Sequence, residues 1–459
     1  MANAFFLTIV NAGTPTKHVL LVMTFIIIAF AIALQVFLSL KKVNPFLSLL
    51  LVAIIAGLLL GMQPAAVLQS VQTGVGSTLG GLALIICLGA VLGKILEVSG
   101  AAEQIAATLI SGFGLKRIQW AIMLTGFFIG IPLYYNAGFV ILVPLVFTIA
   151  RKSNFPLLYI AIPMAASLST THCFLPPHPG PVVLVNAFHA NMGMVLIYGL
   201  CMTIPAVIIA GPVLGSFLKQ IKPALTGLFG VDVTKAEKQL PPVLPCFLIA
   251  LLPVMLITIA VLANHFMAEG SIWRSIASFT GDSTIALLIA VILAIYYFGI
   301  RTGSDMQTVM TWVSNGISGI AMILLIITAG GVLKQVLQDS GAGDEIANLS
   351  KLWHLPPLLF GWLVTALLRV TIGSASVAAI TAAGVMSPLV STGVVSPELM
   401  VLAVGSGSVF GSHINDSGFW MFKEFFNLSL KQTFLSWTVM ETVISMVGLI
   451  MVLLLNHFI

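Results

Sequence analysis

The sequence predicts an all-α, polytopic membrane protein built from two inverted repeats, each with a re-entrant helical hairpin and a broken transmembrane helix. Three observations carry this. Of 459 residues, 59% are hydrophobic and only 7% charged, with a mean hydropathy of +1.13, whereas a soluble domain carries about 25% charged residues. Apolar stretches near the ~20 residues needed to span a bilayer recur along the whole chain. A shift of 241 residues superposes one half on the other. The composition excludes a soluble enzyme, a nucleic-acid binder and a disordered regulator. The net charge of +5 is small for this length and reads as topology. Cys87, Cys173, Cys201 and Cys246 sit singly in apolar surroundings, which implies neither a disulfide frame nor a zinc site.

In chain order, residues 1–18 read as an N-terminal extension. Its first ten residues lack a basic n-region and a small-residue cleavage site, so the stretch is expected to be retained. Simple spans are expected at 19–40, 45–61, 78–98, 192–218, 245–264, 283–299, 317–338 and 434–457. Four further apolar stretches are interrupted. Residues 118–150 are too long for one span and are broken by Pro132, Tyr134, Tyr135, Asn136 and Gly138. Residues 356–390 are equally long and are broken by Arg369, Thr371, Gly373, Ser374 and Ser376. Residues 156–188 and 397–426 break in the middle at polar runs. Irregular backbone at membrane depth survives only where protein or a wet cavity satisfies it, so function is expected at these four breaks.

If the two long stretches are hairpins and the two broken helices cross, 14 of the 19 basic residues fall on one side. The positive-inside rule makes that side cytoplasmic and places both termini outside. Residues 84–106 match 325–347 without gaps at 12 of 23 positions, Ser99-Gly100-Ala101 meeting Ser340-Gly341-Ala342. Farther on, Pro156 meets Pro397, Ser167 meets Ser408 and His172 meets His413. The repeats are therefore expected at 19–218 and 245–459, joined by a cytoplasmic linker at 219–244. Each holds three spans, a hairpin, a broken helix and a final span. Five crossings is an odd number, so the second repeat must enter the membrane inverted, a design of carriers whose broken helices meet near the midplane. Half-helix N-termini there aim positive dipole ends at an anion.

The first broken helix offers Ser169, Thr170, Thr171, His172 and His178 around four prolines that cannot continue a helix. The second offers Ser408, His413, Asn415 and Asp416. Hairpin tips add Tyr134 and Asn136 in one half, and Thr371, Gly373, Ser374 and Ser376 in the other. All of these except Asp416 are candidate substrate contacts, because hydroxyls, amides and imidazoles donate to carboxylate and polyol oxygens. Small residues also serve plain helix packing, and for any single serine the two readings weigh equally. A carboxylate at mid-membrane is expensive and usually functional, which makes Asp416 the candidate proton-coupling site; its bland reading is a cap on the following half-helix. Arg369 either pairs with a substrate carboxylate or snorkels to the interface. Glu441 is either a second proton site or, the weightier reading, a structural partner. No metal set, H-E-x-x-H or Walker loop is present, so neither a cofactor nor ATP-driven transport is expected.

Four runs resemble the gluconate permease family: Phe174-Leu175-Pro176-Pro177-His178-Pro179-Gly180-Pro181, Gly373-Ser374-Ala375-Ser376-Val377-Ala378-Ala379-Ile380-Thr381, Ser396-Pro397-Glu398-Leu399-Met400 and Gly418-Phe419-Trp420-Met421-Phe422-Lys423-Glu424. The resemblance extends from about Val43 to the C-terminus. It implies a proton symporter of gluconate or a related sugar acid in a bacterial inner membrane, with the ion-transporter-superfamily fold. It further implies a homodimer whose transport domain moves as an elevator. One departure stands out, since the family's first hairpin tip often carries an acid where this chain has Asn136. An amide cannot carry a proton, so coupling would rest on Asp416, a histidine or the substrate. The alternative substrate is a small amino acid such as D-serine or another hydroxy carboxylate. A membrane-embedded enzyme using His172, His178, His413 and Asp416 is the alternative of a different class, and a channel is a further one.

Overall fold

The computed structural model describes residues 17–153, 155–221, 240–342, 355–414 and 416–458. The extension as far as residue 16, most of the linker, and Asn415 lie outside the described residues. Among the described residues every regular element is helical. The chain opens with α1 (Lys17–Leu40) and α2 (Pro45–Leu59), the latter begun by Pro45 and capped by the Asn44 side chain on the Phe46 amide. Helix α3 (Pro64–Ser99) starts well before residue 78, because nothing between Pro64 and Gly100 breaks a helix. It ends where Gly100 turns left-handed at φ +82°. Its 36 residues extend about 54 Å, more than a hydrocarbon core of about 30 Å.

A short helix, α4 (Ala101–Phe113), leads into α5 (Ile118–Gly130) and α6 (Tyr135–Ser153), a pair joined by four residues. Next come α7 (Leu157–Phe174) and α8 (Pro179–Phe188), interrupted at Leu175–His178, and then α9 (Met192–Gln220). After the linker, α10 (Val243–Phe266), the short amphipathic α11 (Ile272–Thr280) and α12 (Ser283–Thr302) precede the long α13 (Met306–Asp339). The order seen from α5 to α9 then recurs. Helices α14 (Pro357–Ile372) and α15 (Ala375–Ser391) are joined at Gly373-Ser374. Helices α16 (Pro397–Gly407) and α17 (Ser417–Phe425) are separated by a nine-residue break, and α18 (Leu430–Phe458) closes the chain.

Seven helices among the described residues are long and apolar enough to cross a membrane, taking α7 and α8 as one interrupted span. The sixteen residues of α14 reach only about 24 Å, shorter than a bilayer core of about 30 Å. Helices α3 and α13 pack along each other. Their backbones touch because Gly74 has no Cβ; one placed there would sit 2.7 Å from Val332 Cα. The two interrupted helices cross by the same device, a Cβ on Gly405 falling 2.7 Å from the Cys173 carbonyl oxygen. That crossing brings all four breaks to one place.

Candidate functional site

The four breaks surround a cavity of about 440 Å³, within the range of about 300–1,000 Å³ usual for small-molecule sites. Four helices begin at its wall. Tyr135 and Asn136 open α6, Pro179 opens α8, Ser374 and Ala375 open α15, and Ser417 and Gly418 open α17. Each N-terminus carries amides without intrahelical partners and the positive end of a helix dipole. Local sequence explains these starts. Pro179 at a first helical position needs no donor, the Ser374 hydroxyl accepts from the Val377 amide, and the Asp416 carboxylate accepts from the Gly418 amide at 2.9 Å.

The helix ends that meet these starts carry exposed carbonyls, and side chains cover several of them. His178 Nε2 lies 2.5 Å from the Gly130 carbonyl oxygen at the end of α5. A carbonyl can only accept, so this nitrogen carries the hydrogen. Arg369 donates to the Gly373 carbonyl at the end of α14, where Gly373 itself turns left-handed at φ +85°. The Ser408 hydroxyl donates to the Gly405 carbonyl at 2.7 Å. With these negative ends covered, the helix starts present the positive ends of their dipoles to the cavity.

Arg369 supplies the full positive charge. It is only 3% exposed and forms an ion pair with Asp416, whose carboxylate also accepts from the Ser412 hydroxyl. Trp437 Nε1 in turn donates to Ser412 Oγ at 2.8 Å, and the Trp437 ring packs edge-on against Tyr135 at 5.7 Å. On the other wall, Ser169 donates to Glu441 Oε2 at 2.9 Å. Tyr134 packs edge-on against both His172 and His178.

Of the residues singled out in the sequence, Tyr134, Asn136, Ser169, His172, Gly373, Ser374, Ser376 and Asp416 line this cavity. Ser408 lies on a small recess behind it, shared with His172 and Ser376. The other described ones are placed elsewhere, Asn415 lying outside the described residues. Thr170 and Thr171 are fully buried and donate back to the Ala166 and Ser167 carbonyls, a bond a helical threonine makes whenever it faces packed protein. His178 is spent on Gly130, Thr371 donates to Leu367 one turn back on the outer side of α14, and His413 lies against the Gly411 carbonyl. Arg369 does not snorkel; it turns inward. Trp437 escaped the sequence reading, since an aromatic inside an apolar span carries no signal of its own. Its place within a π-helical turn, Phe434–Thr438, appears only in three dimensions.

The family described as "GntP family permease" matches residues 23–458, which extends the resemblance some twenty residues upstream of Val43. The high-affinity gluconate transporter of Escherichia coli K12 is 48% identical over 95% of this chain and 99% of its own length. The Gnt-II system L-idonate transporter of the same strain is 47% identical over the same shares. The gluconate permease of Bacillus subtilis is 42% identical over 95% and 99%. Among solved structures, the YdaH transporter of Alcanivorax borkumensis superposes with a TM-score of 0.68 over 90% of this chain and 98% of that one, at 15% identity. MtrF of Neisseria gonorrhoeae, from a class of antimetabolite efflux pumps, superposes at 0.59 over 89% and 93%, at 16% identity. At such identities the likeness speaks for the fold alone.

Proposed function

The chain belongs to the GntP family of permeases, and on that premise we propose that it carries gluconate or a closely related sugar acid into the bacterial cell, across the inner membrane, by proton symport. It is a transporter and not an enzyme. The observation that carries the substrate class is the convergence of four helix N-termini and one arginine on a single cavity. Such a site answers a carboxylate, and Asn136, Ser169, Ser374, Ser376 and the His172 ring offer hydrogen bonds to the hydroxyls of a polyol chain.

The Arg369–Asp416 pair supplies a mechanism for coupling. An incoming carboxylate competes with Asp416 for the guanidinium. A proton on Asp416 weakens that pair and releases Arg369 to the substrate, so proton and anion favour each other's binding. Asp416 thereby keeps the proton role expected of it while also capping α17, and Asn136 need carry no proton. The inverted orientation of the two repeats, a homodimer and an elevator motion belong to this reading. The inverted orientation is supported by the recurring helix order, whereas the homodimer and the elevator motion come with the family resemblance alone.

The test is uptake of labelled gluconate by proteoliposomes, as counterflow and under an imposed inward proton gradient. Saturable counterflow, plus accumulation that a protonophore collapses, is the expected result. Counterflow with D-serine but not with gluconate or idonate overturns the sugar-acid reading, and flux that neither saturates nor shows counterflow overturns the carrier in favour of a channel.

A further inference from the structure

Beyond the Arg369–Asp416 pair the cavity holds a second carboxylate. Glu441 lies on α18, within one turn of the π-helical segment Phe434–Thr438, and it is only 2% exposed. Its Oε2 takes one neutral hydrogen bond, from Ser169 on the first broken helix. Its Oε1 has no hydrogen-bond partner among the described residues, although Glu441 is part of the cavity wall. The titratable and charged groups that face it are Tyr135 from α6, Cys173 from α7, Arg369 from α14 and Asp416 at the head of α17. Arg369 spends its two terminal nitrogens on the Gly373 carbonyl and on Asp416, and its Nε has no hydrogen-bond partner among the described residues. The Tyr135 hydroxyl is buried and also without a hydrogen-bond partner.

A structural carboxylate in such a place would be expected to have all its lone pairs satisfied or a cation against it. Glu441 has one free oxygen and, among the described residues, no cation within ion-pair distance, and an ionisable residue at membrane depth beside a cavity marks an ion or proton path. We propose that Glu441 is a second proton-carrying site, held by Ser169 at Oε2 and protonated at the unpartnered Oε1, so that each sugar-acid anion crosses with two protons, one on Asp416 and one on Glu441. The step is a protonation only: the proton comes from cavity water on the outer side and returns to water inside, and no other bond forms or breaks. This inference rests on the symport reading above.

The experiment counts protons. In proteoliposomes with the membrane potential clamped to zero, wild-type protein is expected to take up two protons per labelled gluconate, read by an entrapped pH dye beside the radiolabel. Its equilibrium accumulation should then rise about a hundredfold per unit of pH gradient. Glu441→Gln should take up one, lowering accumulation about tenfold per pH unit. A wild-type count of one overturns the proposal without reference to any variant. So does a Glu441→Gln protein that still takes up two. Failure of wild-type gluconate counterflow is a different result, striking the substrate reading; the proton count is then made with whichever sugar acid exchanges.

Discussion

Arg369 shows how one residue's role turns on direction. In the sequence a membrane arginine near a hairpin tip is equally able to reach the interface or the substrate. In the fold it points inward, at 3% exposure, to a carboxylate 47 residues away. Breaking a buried pair of this kind costs about 3–5 kcal/mol, and a hydrogen bond to a charged group contributes about 1.5–3 kcal/mol. Arg369→Gln should therefore destabilise the protein and raise KM for gluconate roughly 10- to 150-fold. Arg369→Gln with Asp416→Asn should regain the stability but not the affinity. Thermal unfolding in detergent and uptake kinetics separate the two effects, and recovery of affinity in the double variant would exclude Arg369 as the anion contact. Asp416→Asn alone should leave exchange intact while lowering accumulation at least about tenfold in a one-unit pH gradient, checked by labelled uptake with and without the gradient.

At the scale of elements, the breaks were legible because their causes are local. Four prolines within residues 176–181 must stop a helix, and a glycine followed by serine at 373–374 both ends one helix and caps the next. Less legible was which polar side chains at a break face the cavity. Thr170 and Thr171 sit one and two residues beyond Ser169, yet helical rotation of about 100° per residue sends them into packed protein. The caps themselves are testable. Ser374→Ala should cost about 1 kcal/mol through loss of the α15 cap. Ser374→Asp should preserve the cap and the melting temperature but place a negative charge in the anion site, abolishing gluconate binding. Equal binding by Ser374→Asp and wild type would mean that the α15 N-terminus is not part of the site.

For the whole molecule, the arrangement of the two halves predicts sidedness. Lys116, before the first hairpin, belongs to the basic, cytoplasmic side, and Glu269, between α10 and α11, to the other. In a cysteine-depleted background, Glu269→Cys in intact cells should react with a membrane-impermeant maleimide while Lys116→Cys reacts only after permeabilisation. The opposite pattern would invert the topology. Local sequence by itself determined the class, six of the eight simple spans, the four interruptions and, through contiguous motifs, the family, because each follows from local hydropathy, from backbone rules for proline and glycine, or from those motifs. Only the tertiary structure decided which polar groups meet. The Arg369–Asp416 pair, the Ser169–Glu441 bond and the Trp437–Ser412 contact join residues 25 to 272 positions apart. Their partnership depends on Gly405 letting two interrupted helices approach to backbone contact, a geometry no local stretch of sequence contains.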